Sequence, residues 1–215
     1  MPVTIQRLRG ETPVISHQAE PAETIRDIFI VEDESLVAMG LRTMLSQLGH
    51  STVHLFSKAE DALARLDALK PDLVLMDIKL GEGMDGLAAA REVMERRPCP
   101  VIMTTAFTEE TYLQEAMQSH VFGYLVKPVS SRQLASAIAL ARARFLEFQR
   151  LLAENVNLRE ALETRKLVER AKGLLMAKRQ LTESQAYEMM RTQSQQKSCA
   201  MRDVAQSIIN AAEFL

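Results

Sequence analysis

Residues 72–77 read DLVLMD. Leu73 to Met76 offer no polar face, which is the pattern of a strand covered on both sides and so of a parallel sheet between helical layers. Similar apolar runs flank it: IFIV (28–31), TVHLF (52–56), PVIMT (100–104) and FGYLV (122–126). The segments near 35–48, 59–69, 85–97 and 109–119 place apolar residues at helical spacing, as in Leu41, Leu45, Leu48 and Ala62, Leu66, Leu69. The alternation predicts five βα units: an α/β doubly wound, five-stranded parallel sheet over residues 25–130.

The 215 residues, 47% hydrophobic and 25% charged, suffice for this domain and a smaller second one. Residues 1–24 mix Pro, Gln, Glu and Thr with isolated apolar side chains and are expected to be a flexible extension, with Val3 to Leu8 a weak edge-strand candidate. Neither a signal peptide nor a membrane span is legible, and the two distant cysteines, Cys99 and Cys199, fit a reducing cytoplasm. Residues 151–215 carry ten Lys or Arg against eight Asp or Glu, leaving sixteen and twenty for the rest. The tail is slightly basic, which permits a nucleic-acid partner without requiring one.

After Pro128 the pattern becomes helical. Ser130 or Ser131 can cap a helix that nothing interrupts until about Gln180. Leu134, Ile138, Ala141, Phe145, Phe148 and Leu152 alternate in steps of four and three, the seam of a coiled coil, and Val156, Leu158 and Leu162 resume it with a shift. Residues 131–160 are therefore read as a coiled-coil linker helix, which either pairs with a second copy or packs on the first domain. Thr182 and Gln185 form a capping-box sequence that starts a second helix, and a third follows from about Cys199 with Val204, Ala205, Ile208 and Ile209 inward. Residues 161–215 are thus a small three-helix domain.

In an open parallel sheet the ligand crevice lies at the C-terminal strand ends. Those ends carry Glu32 and Asp33, Asp77, Thr105, and Lys127-Pro128. Three adjacent carboxylates repel one another unless a cation neutralises them, which makes Mg²⁺ the natural cofactor. Lysine and threonine beside them suit phosphoryl oxygens, and Asp77, on the central strand, is the candidate nucleophile toward phosphorus while Glu32 and Asp33 hold the metal.

VEDE (31–34), LMDIKL (75–80), TTA (104–106) and GYLVKP (123–128) resemble the motifs of the receiver domain of two-component signalling, over about residues 25–145. The resemblance implies a flavodoxin-like fold and phosphoryl transfer from a sensor histidine kinase to Asp77. It also implies Mg²⁺ on Asp33, Asp77 and the backbone carbonyl of Lys79, with Glu32 nearby, and a switch pair of Thr105 and Tyr124. Gly81 stands where that family usually has proline, and one residue is added before Asp85-Gly86, which predicts a more mobile loop.

The tail shows no catalytic constellation, so no enzymatic activity is expected beyond autophosphorylation and autodephosphorylation at Asp77. Its cations are Arg165, Lys166, Arg170, Lys172, Lys178 and Arg179 on the long helix, then Arg191, Lys197 and Arg202. Arg165, Lys172 and Arg179 recur every seven residues and share a face. ALETRKLVERAKGLLMAKRQLTESQAYEMMR (161–191) with MRDVAQSII (201–209) resembles the ANTAR domain, an RNA-binding antitermination module. That likeness implies binding to paired RNA hairpins of leader transcripts through Arg165, Lys166, Arg170, Lys172, Arg179, Arg191, Lys197 and Arg202, by a protein that is a homodimer when phosphorylated. Tyr187 would stack on a loop base or pack in the core. A tail that docks a protein, or binds DNA with Arg202 as its reader, is the alternative.

Overall fold

The computed structural model describes residues 25–106 and 121–213. The expected extension over 1–24, its strand candidate and the helix near 109–119 lie outside the described residues, as do Phe214 and Leu215. The strands are β1 (Asp27–Val31), β2 (Thr52–Phe56), β3 (Leu73–Asp77), β4 (Val101–Thr105) and β5 (Gly123–Val126). The helices are α1 (Ser35–Gln47), α2 (Ala59–Leu69), α3 (Gly86–Arg96), α4 (Ser131–Arg179), α5 (Glu183–Lys197) and α6 (Met201–Glu213). Two compact units meet within α4, between Ala141 and Arg142.

The first unit is one parallel sheet in the order β2-β1-β3-β4-β5. All five residues of β3 and of β4 are buried, whereas the edge strands β2 and β5 are partly exposed, so unbroken hydrophobicity marks the centre of the sheet. Local signals end the helices: Gly49 (φ 92°) follows α1, and Lys70 in the left-handed region with Pro71 closes α2. Strand order reverses between β1 and β3, and the register pairs Val31 with Met76 and Asp77 with Thr104. The acids after β1 therefore stand beside the end of β3.

The second unit is built on a core of Ala171, Leu175, Ala186, Met190, Val204, Ala205 and Ile209. The Thr182 hydroxyl accepts from Gln185 N at 3.3 Å while Thr182 N donates to Gln185 Oε1 at 2.9 Å, a complete capping box that turns the chain into α5. The stripe on α4 divides. Leu134, Ile138, Ala141 and Phe145 are buried, but Leu151, Leu152, Val156, Leu158 and Leu162 are each at least half exposed. Among the described residues no helix is long and apolar enough to cross a membrane.

Candidate functional site

At the end of β3, Asp77 is 6% exposed, and Lys127 Nζ, reaching over from the turn after β5, lies 2.7 Å from its Oδ2. The same ammonium donates to Glu32 Oε1 at 2.8 Å; Glu32 Oε2 lies equally near as an ion-pair contact and takes no hydrogen bond among the described residues. Burial pushes the Glu32 carboxyl up to about 7, against the Lys127 hydrogen bond, with the charge of Asp77 adding to the rise. Burial lowers the Lys127 ammonium, but hydrogen bonds to Asp77 and Glu32 outweigh it and the net shift is upward.

Asp33 completes the cluster: one oxygen each of Glu32, Asp33 and Asp77 lies within 4.8 Å of the others. An all-oxygen set of three acids, two of them buried and one with an oxygen that takes no hydrogen bond, fits a hard divalent cation. Lys79 lies beside them, its N–H directed at Asp77 Oδ1 at 3.3 Å. Thr105, 7% exposed, ends β4, and its carbonyl accepts from Lys127 N at 2.7 Å. The Tyr124 hydroxyl is buried with no hydrogen-bond partner among the described residues, and burial pushes it up to about 12. The Lys127-Pro128 peptide is cis.

The loop expected to be loose is tied at both ends. Gly81 N donates to Asp33 Oδ2 at 3.1 Å, a bond that proline could not make, and Met84 N donates to Glu60 Oε1 at 2.7 Å. Asp85 then caps α3 by accepting from Leu87 N at 2.6 Å. The sequence reading missed two positions here. Glu60 anchors the loop from α2, and a Cβ at Gly86 would run into the Asp77 carbonyl. The Asp85-Gly86 pair was the available signal for the second; Glu60, seventeen positions before Asp77, offered none.

In the second unit the expected RNA contacts do not form one strip. Lys172 is 7% exposed, its Nζ 2.6 Å from Glu183 and 2.9 Å from Glu169. The Glu183 bond, then the Glu169 bond, holds that ammonium above its usual range. Arg165, Arg170, Lys197 and Arg202 are exposed; Lys166 pairs with Glu163 at 2.8 Å, and Arg191 with Glu188 at 3.4 Å. Arg202 lies near enough to help lower Glu163, after the Lys166 hydrogen bond and charge. Arg179 and Lys197 instead border a cleft between α4, α5 and α6. Tyr187 is 43% exposed, outside the bundle core. Cys99 is buried, which pushes its thiol up to about 12.

Family models match this architecture in two places: a response regulator receiver domain over residues 28–139 and an ANTAR domain over residues 156–209. The chain is 39% identical over 184 residues to the transcriptional regulatory protein PdtaR of Mycobacterium tuberculosis, covering 86% of this chain and 89% of that one. The chain belongs to the ANTAR response regulators. The positive alginate biosynthesis regulatory protein of Pseudomonas aeruginosa is 42% identical over 118 residues, 54% of this chain and 46% of that one. Among solved structures, the receiver domain of a modulated diguanylate cyclase from Desulfovibrio desulfuricans G20 matches with TM-score 0.53 and 32% identity, over 57% of this chain and 97% of that one. The receiver domain of NtrX from Brucella abortus matches with TM-score 0.51 and 28% identity, over 54% and 97%. In this ANTAR response regulator, acids, lysine and hydroxyl converge at the C-terminal edge of the sheet in the first unit, and most of the tail cations lie on the surface of the second.

Proposed function

We propose that this response regulator takes a phosphoryl group on Asp77 from a phosphohistidine of a sensor kinase and, so modified, binds paired hairpins in nascent transcripts to promote antitermination. The observation that carries the first step is the buried Asp77 carboxylate, 2.7 Å from Lys127 Nζ within the three-acid cluster. An Asp77 oxygen attacks phosphorus, the phosphorus–nitrogen bond breaks, and its electron pair stays on the donor imidazole. Glu32, Asp33, Asp77 and the Lys79 carbonyl would hold Mg²⁺, which when bound offsets the charge that develops on the phosphoryl oxygens. Lys127 leaves Glu32 to follow those oxygens, the Thr105 hydroxyl moves toward them, and Tyr124 answers by filling the space behind it.

The output runs along α4. A heptad frame with Phe148, Asn155 and Leu162 at a, and Leu151 and Leu158 at d, collects three exposed leucines and the half-buried Phe148 around one asparagine. Asparagine at a single a position favours a parallel, in-register pair, and Glu154 at g would then face Arg159 at e of the second copy. Antiparallel pairing would oppose like charges. A parallel dimer brings two tails to the same end, which suits paired hairpins. The cytoplasm, where transcripts and kinase output meet, is the compartment this reading requires.

The direct test of the receiver step is incubation with acetyl phosphate and Mg²⁺, followed by intact-mass analysis. Wild type should gain one phosphoryl group and Asp77→Asn none; equal modification of both would reject Asp77 as the acceptor.

A further inference from the structure

The tail bundle contains a cleft of about 810 Å³ between the last turns of α4, the second half of α5 and the end of α6. This volume falls within the range of about 300–1,000 Å³ typical of small-ligand sites. Its floor is apolar, formed by Leu175, Met189 and Ile208 at the edge of the bundle core. Three cations, Lys178, Arg179 and Lys197, border it, while the acid there, Glu188, is paired with Arg191 at 3.4 Å. Lys178 Nζ reaches the Ala212 carbonyl at 3.3 Å and so ties α4 to α6, and the Arg179 guanidinium lies 3.7 Å from Met189 Sδ. The side-chain amides of Gln193 and Gln196, which can each donate and accept, line the α5 wall.

An apolar floor, paired amides and surrounding positive charge match the separate parts of a nucleotide. A flat ring stacks on apolar or guanidinium surface, its polar edge needs donors and acceptors together, and the adjoining phosphates need cations. A base in an A-form duplex stays stacked and cannot enter such a cleft, whereas a base of a hairpin loop can be turned out. A purely acidic peptide would engage the cations but would leave the apolar floor without a matching surface.

We propose that this cleft receives one unstacked base of an RNA hairpin loop, with Arg179 and Lys197 on the flanking phosphates and Gln193 and Gln196 on the edge of the base. The inference rests on the RNA-binding reading and goes beyond it by naming the base-accepting site. Gln193 and Gln196 thereby join the interface, Lys178 braces the cleft through Ala212, and Lys172 acts from within the bundle.

The test uses the full chain and two fluorescein-labelled RNAs, a hairpin with a short unpaired loop and a fully paired duplex of equal length, with affinities read by anisotropy. Thr192→Trp puts an indole into the cleft from an exposed position on α5. Hairpin affinity should fall about tenfold, as loss of a stacked base would give, while duplex affinity and circular dichroism stay unchanged. Gln193→Leu/Gln196→Leu keeps the cleft open and should weaken hairpin binding and alter preference among loop bases. If wild type binds the hairpin and both variants bind it equally well, the cleft assignment fails alone. If wild type binds no hairpin, the RNA reading fails and takes the cleft with it. Binding of a polyglutamate peptide that Thr192→Trp abolishes, with no hairpin binding, would overturn the proposal in favour of an acidic protein segment.

Discussion

Lys127 Nζ lies 2.7 Å from Asp77 Oδ2 and 2.8 Å from Glu32 Oε1, so one ammonium offsets two buried carboxylates that would otherwise repel each other. It occupies the electrostatic role that a divalent cation would fill in the same cluster. Lysine and cation therefore compete as partners of the acids, and under the proposed phosphoryl transfer the new oxygens would draw the lysine away.

Replacing Lys127 with Met should make Mg²⁺ binding tighter, by roughly tenfold, because two unit charges 4 Å apart interact by about 4 kcal/mol near a protein surface and only part of that is recovered. The same variant should accept a phosphoryl group but lose its phosphorylation-dependent dimerisation. Titration calorimetry with Mg²⁺ and sedimentation after phosphorylation test the two halves; weaker Mg²⁺ binding would contradict the competition.

Glu32 predicts a pH dependence. Its folded carboxyl sits near 7, above the ordinary 4.5, so folding favours the protonated form. That contribution is complete below about pH 4.5 and is lost as pH rises through about 7. In metal-free protein, Glu32→Gln should remove part of the fall in melting temperature between pH 5.5 and pH 8, and saturating Mg²⁺ should reduce that fall in wild type. A wild-type profile parallel to that of Glu32→Gln would show that the carboxyl does not titrate there.

Two glycine substitutions should act in opposite directions. Gly86→Ala drives a methyl into the Asp77 carbonyl at the start of α3 and should cost about 2 kcal/mol or more, with a displaced acceptor. A Cβ at Gly173, inside α4, meets nothing within 4 Å, so Gly173→Ala should stabilise the tail by about 0.5–1 kcal/mol. Urea unfolding of each variant measures both.

Lys172 and Arg165 share a helix face by spacing yet differ in burial, the first 7% exposed and the second open to solvent. Lys172→Met leaves Glu169 and Glu183 without their cation and should lower the melting temperature of the tail. Arg165→Ala should leave melting unchanged while weakening RNA binding and reducing the salt slope by about one. Unchanged melting in Lys172→Met would show that these ion pairs do not stabilise the tail.

Much of this molecule was legible in its sequence because the decisive signals are local. Buried strands announce themselves as unbroken aliphatic runs, and β3 and β4 end at Asp77 and Thr105, one residue past those runs, because both polar residues still pair through their backbone in the ladder. The capping box at Thr182 marked its helix start for the same local reason. Periodicity along α4 was less informative. It placed Leu134 and Leu162 in related stripes, yet the first is buried and the second exposed, a difference set by what each meets in space. The same applies to Lys172, whose partner Glu183 follows a turn that helical spacing cannot carry across, and to Glu60, which reaches Met84 from a different helix.

The measurement that tests the central claim most directly is the affinity of the full chain for RNA carrying two adjacent hairpins, with and without beryllium fluoride and Mg²⁺, alongside Asp77→Ala. The account predicts that the phosphoryl analogue converts wild type to a dimer and tightens binding to the paired hairpins well beyond binding to a single one, with no response in Asp77→Ala. Equal affinity for single and paired hairpins, unchanged by the analogue in wild type, would contradict it.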